Sequence, residues 1–199
     1  MSAELKGRRI AILLTDGFEQ VEMTEPRHAL DAAGAETQLV SNKTDVRGFH
    51  HDQAGDEFPV DMPLSKAKAA DYDGLLLPGG VMNPDALRID EKAIAFIQGF
   101  VDAGKPIAAI CHGPWPLIET GVTRGRRMTS WPSLRTDLIN SGADWVDEAV
   151  VCDRGLVTSR NPDDIPVFNK KMIEEFVEGE HGPGLSRPAR SAGYETMTP

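Results

Sequence analysis

The sequence predicts a single α/β sandwich, a mostly parallel sheet with helices on both faces. Three observations carry that prediction. Near the N-terminus, two short apolar runs flank a segment of helical periodicity, which is a βαβ unit and implies parallel strands with a right-handed crossover. Two further apolar runs, "DGLLLPGG" (73–80) and "KPIAAIC" (105–111), each end in turn residues, with a helical pattern between them. The chain has 199 residues, 40% of them hydrophobic and 26% charged, enough for one domain with its own core.

Taken in order, "RRIAILLTD" (8–16) reads as a buried strand. "VEMTEPRHALDAAGAE" follows as a helix, with Ala29, Leu30 and Ala33 on one period, Gly34 as its stop and Pro26 in its first turn or at a kink. "ETQLVSN" (36–42) is the second strand. The weaker segment from about 43 to 70 alternates between apolar and turn residues and reads as a hairpin excursion. "DGLLLPGG" is the third main strand. "DEKAIAFIQGFVDAG" (90–104) is an amphipathic helix stopped by Gly104, and "KPIAAIC" is the next strand, with a helix expected over "GPWPLIETG". A short strand and a helix at about 132–141 come next. "EAVVCDRGLVTSR" reads as two strands about a turn, and "PDDIPVFNKKMIEEFVEGE" as a last amphipathic helix. One domain is therefore expected over residues 1–180, with 181–199 a tail whose composition is that of a flexible segment.

Composition narrows the function classes. A formal net charge of −10 argues against a nucleic-acid backbone as the main partner. No apolar run approaches a membrane span, and "MSAELKGRRI" lacks the apolar stretch of a secretory signal, so a cytoplasmic location is expected. The two cysteines, Cys111 and Cys152, are too few for a disulfide framework and are expected as thiols. His50 and His51 are adjacent, with no third ligand at a metal spacing, so neither a metal nor a cofactor is expected.

Ligands of open parallel sheets bind at the carboxyl ends of the strands. Three strands end there in unusual residues: "TDGFEQVE", "LPGG" and "ICHGP". Cys111 is the candidate nucleophile. Ala109 and Gly113 flank it in an A-x-C-x-G pattern close to the nucleophile elbow, in which a sharp strand-to-helix turn holds the reactive residue in a strained, positive-φ conformation. A helix start behind it would favour thiolate. The alternative is a buried structural cysteine. His112 is the adjacent base candidate; consecutive side chains on an elbow diverge, so it is expected to approach Cys111 only from the side, and it needs an orienting carboxylate to fix its tautomer. Glu19 and Asp85 are the carboxylates available for that task, and a turn histidine bonded to backbone is the alternative. A carboxyl near a thiolate either repels it or carries a proton and donates to sulfur, so Glu19, at the end of the first strand, could also serve the cysteine. Gly79 and Gly80 could aim backbone N–H groups at an oxyanion. Cys152 reads as structural.

Together, "TDGFEQVE", "DGLLLPGG", "AAICHGP" and "VTSRNPDDIPVFN" resemble the PfpI-type cysteine peptidase and deglycase family of the class I glutamine-amidotransferase-like superfamily, over about residues 8–177. The resemblance implies a flavodoxin-like three-layer sandwich with Cys111 on the elbow, His112 as its base and Glu19 as the acid that contacts the sulfur. It implies an oxyanion hole from the N–H groups of Gly80 and His112. Asp85 stands where the family's third carboxylate serves a neighbouring subunit, which implies a homodimer or a larger even assembly. Where some relatives carry Tyr in the pocket this chain has Trp131, and Trp115 makes the rim bulky and apolar. The implied activity is that of a stress-response protein whose cysteine acts on small carbonyl compounds, on modified proteins or on peptides. A non-enzymatic role in redox sensing or as a holdase is the other implication.

Overall fold

The computed structural model describes residues 4–181. Its first half comprises β1 (Arg9–Leu13), β2 (Phe18–Glu19), α1 (Gln20–Ala32), β3 (Glu36–Ser41), β4 (Asp45–His50), β5 (Gln53–Pro59), β6 (Met62–Pro63), β7 (Gly74–Leu77) and α2 (Met82–Arg88). The second half comprises α3 (Glu91–Ala103), β8 (Ile107–Ile110), α4 (Leu117–Thr120), β9 (Arg127–Met128), α5 (Arg135–Asn140), β10 (Asp144–Trp145), β11 (Val150–Asp153), β12 (Leu156–Ser159) and α6 (Ile165–Glu178).

Seven strands form the central sheet in the order β11-β12-β8-β7-β1-β3-β6, parallel throughout except for β11, which runs antiparallel to β12 at one edge. The strand sequences explain the layering. Side chains of a strand alternate between faces. Ala11 and Leu13 of β1, with Ile107 and Ala109 of β8, face a core filled by Phe96, Ile97 and Phe100 of α3. Ile10 and Ile12, with Ala108 and Ile110, face the opposite core, filled by Met23 and Leu30 of α1 and Phe168, Met172 and Phe176 of α6. Both faces are covered, so the strands are continuous apolar runs, as buried parallel strands require. Each fully buried Ile or Leu contributes roughly 1.5–3 kcal/mol over its exposed state. This is the three-layer α/β sandwich expected from the sequence.

Local signals set the helix ends. Asp90 caps α3 by accepting from the N–H of Lys92 at 2.9 Å, and Gly104 ends it at φ +68°. Pro26 lies inside α1, past its first turn. The 43–70 excursion contains the antiparallel hairpin β4–β5, and β4 pairs in parallel with the short β2. The segment holding Asp85, between the strand at 73–80 and the helix expected at 90–104, is itself helical, α2. One expectation changes. The helix after Cys111 starts only at Leu117, because residues 112–116 turn through successive i→i+3 bonds such as Trp115 N–H to His112 O at 3.0 Å. Residues 182–199 of the expected tail lie outside the described residues. No helix among the described residues is long and apolar enough to cross a membrane.

Candidate active site

Cys111 follows the last residue of β8 and holds φ +61°, a left-handed conformation that a non-glycine residue adopts at a cost of about 1–3 kcal/mol. Backbone bonds from two sides hold it there. Its N–H donates to Ser159 O at 3.0 Å, and its carbonyl accepts from Trp131 N–H at 2.9 Å. The strand continues its ladder into the elbow and then breaks sharply. Gly113 permits the break, since a Cβ at that position would stand 2.8 Å from the carbonyl oxygen of Ile110.

The kink brings two consecutive side chains together. His112 Nδ1 lies 3.2 Å from Cys111 Sγ, although the two residues are consecutive. The other ring nitrogen, Nε2, lies 3.0 Å from Ser133 Oγ. The two contacts fit one neutral tautomer, in which Nε2–H donates to the serine and the Nδ1 lone pair faces the thiol. Burial pushes the His112 pKa below its ordinary value, so the ring is neutral and basic near pH 7. The orienting group is therefore a hydroxyl, not a carboxylate of the same chain. The Trp131 ring stacks against His112 at 6.0 Å between centroids, and Trp131 is 40% exposed.

The acid that meets the sulfur is Glu22, not Glu19. Glu22 lies in the first turn of α1, is wholly buried, and interacts with the Cys111 thiol. Its Oε2 accepts from Gly79 N–H at 3.0 Å, and Oε1 has no well-aligned hydrogen bond of its own. Burial pushes its pKa up to about 8, against the pull of Cys111 and of the Gly79 and Gly80 N–H groups. Glu22 thus carries a proton at neutral pH and can donate it to sulfur. Burial, and next the nearby Glu22, push the Cys111 thiol upward, while the backbone N–H groups of His112 and Gly80 pull it down. The push from Glu22 acts only when Glu22 is charged, so a protonated Glu22 removes it.

Glu19 has a different task. Its Oε2 accepts from the N–H of His51 at 2.9 Å, with His51 Nδ1 at 3.7 Å. It ends β2 and ties down the turn of the β4–β5 hairpin, because β2 lies beside β4 and presents Glu19 to that turn. Gly79 is corrected as well. Its N–H is spent on Glu22, which leaves Gly80 and His112 as the N–H groups facing the sulfur. A Cβ on Gly79 would stand 2.7 Å from Cys111 Cβ and would run into Glu22 Oε2, so the glycine is there for close approach.

Asp85 sits on the exposed side of α2 and makes no ion pair or side-chain hydrogen bond among the described residues. It does not reach His112 of its own chain, whose two ring nitrogens have other partners. Trp115 is half-buried beside His112, at 6.4 Å between ring centroids. Its Nε1 donates to Asp137 Oδ2 at 3.0 Å, and the guanidinium of Arg88 lies 4.8 Å over its ring.

Three residues of this site escape a reading by motif. Ser133 carries no pattern of its own. Asn83 is wholly buried and clamps the Gly79 turn: its Oδ1 accepts from Thr15 N–H at 2.8 Å, and its Nδ2 donates to Pro78 O at 3.0 Å. Glu22 does leave a signal. It shares the spacing of four with Pro26 and Leu30, both buried, which places an acid on the core-facing stripe of α1.

The sequence model of the DJ-1/PfpI family matches residues 8–175. Among curated proteins, General stress protein 18 of Bacillus subtilis is 43% identical over 168 residues, covering 84% of this chain and 96% of that protein. A Pyrococcus abyssi protein named Deglycase PYRAB04690 is 40% identical over 166 residues, covering 83% and 98%. Among solved structures, Drosophila melanogaster DJ-1beta superposes with a TM-score of 0.77 at 29% identity, over 89% of this chain and 91% of that one. The positive-φ cysteine at the end of β8, the histidine beside it and the match across nearly all of the domain together make this chain a member of the DJ-1/PfpI family.

Proposed function

We propose that this chain is an enzyme whose Cys111 attacks the carbonyl carbon of small reactive carbonyls or of their adducts on proteins, a deglycase- or glyoxalase-like activity in a stress-response setting. The observation that carries the reading is the pair of contacts at one sulfur: His112 Nδ1 at 3.2 Å and the buried carboxyl of Glu22. The thiol proton passes to Nδ1 of His112, the sulfur bonds to the carbonyl carbon, and the C=O electron pair moves to oxygen. The N–H groups of Gly80 and His112, which face the sulfur, would receive that negative charge. His112 then returns its proton to the oxygen, leaving a hemithioacetal. Where the attacked carbon bears the adduct's nitrogen, the oxygen's electron pair re-forms C=O, the C–N bond breaks, His112 gives its proton to the departing amine, and water then cleaves the thioester left on Cys111. Trp115 and Trp131 flank the imidazole and would give the entrance an apolar wall. The relative named as a deglycase supports this substrate class.

We also propose that a homodimer completes the site, with Asp85 of one subunit meeting the other's site. Among the described residues the Asp85 side chain has no partner, and the apolar Val81 and Met82 near it are 56% and 52% exposed, a face suited to a second copy.

The deciding experiment is turnover of glyoxal, methylglyoxal, glycated amino acids and a generic peptide by the wild type beside Cys111→Ala. The reading requires carbonyl or adduct turnover that Cys111→Ala abolishes. Peptide cleavage alone would assign a peptidase. A redox role is a second reading, favoured by the protonated Glu22. Peroxide would oxidise the thiol to a sulfinate, and the carboxyl would donate to its oxygen. Peroxide-dependent addition of two oxygen atoms to Cys111, lost in Glu22→Leu, without turnover would favour it.

A further inference from the structure

At the end of the sheet opposite Cys111, α6 runs out at Glu178 and the chain turns at Gly179, φ +81°, to His181. Two contacts fix that histidine. Its N–H donates to Gly104 O at 3.0 Å, and its ring lies over Gly155, where a Cβ would come 3.0 Å from Cδ2. So held, His181 Nε2 faces Glu175 Oε1 at 2.5 Å. Glu175 is 3% exposed. Its Oε2 accepts from the Cys152 thiol at 2.8 Å, while the buried Oε1 has, among the described residues, only the His181 contact. Glu178 follows one turn later on the same helix face, and one donor atom each from Glu175, Glu178 and His181 lie within 4.8 Å of one another.

We propose that Glu175, Glu178 and His181 form a binding site for a divalent transition-metal ion of the zinc class, with the Cys152 thiol positioning Glu175 from behind. The charge balance argues for it. Two carboxylates converge on one imidazole, which could neutralise only one of them. Lys171, whose charge also acts on Glu175, pairs with Glu174 at 3.1 Å. A divalent cation answers both carboxylates and takes up the buried Oε1. The donor set, one imidazole and two carboxylates, suits zinc, and three protein ligands leave a fourth position for water. Ligand atoms about 2.0–2.2 Å from a tetrahedral zinc stand roughly 3.3 Å apart. The Glu175–His181 contact therefore opens by less than ~1 Å, and the exposed Glu178 turns in freely. A donor behind the ligating carboxylate is the usual supporting contact of such sites, and the S–H of Cys152 supplies it. On this proposal Cys152 has a role beyond packing, and the chain has a metal site that the sequence reading did not expect. The site is remote from Cys111 and does not depend on the proposed activity.

The test is zinc binding by the full chain carrying Cys111→Ala, which removes the other thiol–imidazole pair. Equilibrium dialysis against zinc chloride should give one ion per chain and a higher unfolding temperature. Magnesium chloride at the same concentration should do neither. Glu178→Gln and His181→Ala, both changes at exposed positions, should each weaken binding at least ~10-fold and abolish the thermal shift, and Cys152→Ala should weaken it by about 10-fold. Absence of zinc binding in the parent overturns the proposal. So does zinc binding that is the same in Glu178→Gln and His181→Ala as in the parent.

Discussion

The carboxyl of Glu22 lies against the thiol of Cys111, and the carboxyl of Glu19, three residues earlier, is turned away to the backbone of His51. Two acids in the same short motif therefore do different work. One sits on the core-facing stripe of α1 and holds a proton at the sulfur. The other caps the end of β2 and anchors a hairpin.

Substitution separates them. Glu22→Leu removes the donor to sulfur and should lower kcat/KM by at least ~10²-fold, the lower end of general acid–base contributions. Glu22→Gln keeps a donor and should cost less. Glu19→Gln should change kcat/KM by less than ~3-fold and cost about 1 kcal/mol of stability through the hairpin bond, read by urea unfolding.

Stability should depend on pH through Glu22. Its folded pKa, about 8, exceeds the ordinary 4.5, so between those values the folded chain holds more protons than the unfolded one. The stabilisation is complete below pH 4.5 and is lost as pH rises through 8, with a slope of at most about 1.4 kcal/mol per pH unit. Urea unfolding at pH 5.5, 6.5 and 7.5 should show this fall in the wild type and a flatter profile in Glu22→Gln.

Ser133 is the positioning partner of His112. Ser133→Ala should lower kcat about 10-fold while KM changes less than ~3-fold, because the ring loses the acceptor that fixes its tautomer. Burial holds the His112 pKa below 6.5, and the base form is the working one. The acid limb of the wild-type kcat/KM profile should therefore lie below pH 6.5.

The dimer proposal is tested by mixing. Cys111→Ala and Asp85→Ala subunits should each be impaired alone and regain partial activity as heterodimers, in which one site combines an intact Cys111 with the other chain's Asp85. No recovery on mixing would place any action of Asp85 within its own chain.

The fold was legible because its signals are local and agree. Continuous apolar strands, the Asp90 and Gly104 caps of α3 and the two-strand pattern about Gly155 all lie within short windows of sequence. The elbow was legible too, since Ala109, Cys111 and Gly113 carry their constraint in five residues. Partner choice was not legible. Which acid reaches Cys111 depends on the register of α1 against the sheet, and the helix begins at Gln20, so that Glu22 faces inward with Pro26 and Leu30. Ser133 reaches His112 from 21 residues away, and Asn83 reaches Thr15 from 68, contacts that only the folded chain creates. The helix expected behind Cys111 starts late for a local reason: Pro114 and Pro116 remove N–H donors from the segment before it and tighten that segment into turns.

The central claim is that Glu22 is protonated at neutral pH and donates to Cys111. A site-assigned carbon-13 NMR titration of the Glu22 carboxyl measures this most directly. The account predicts a midpoint near pH 8 in the reduced wild type, and a changed midpoint in Cys111→Ala, where the sulfur is gone. A midpoint near the ordinary glutamate value of 4.5, unaffected by removal of the thiol, would contradict it.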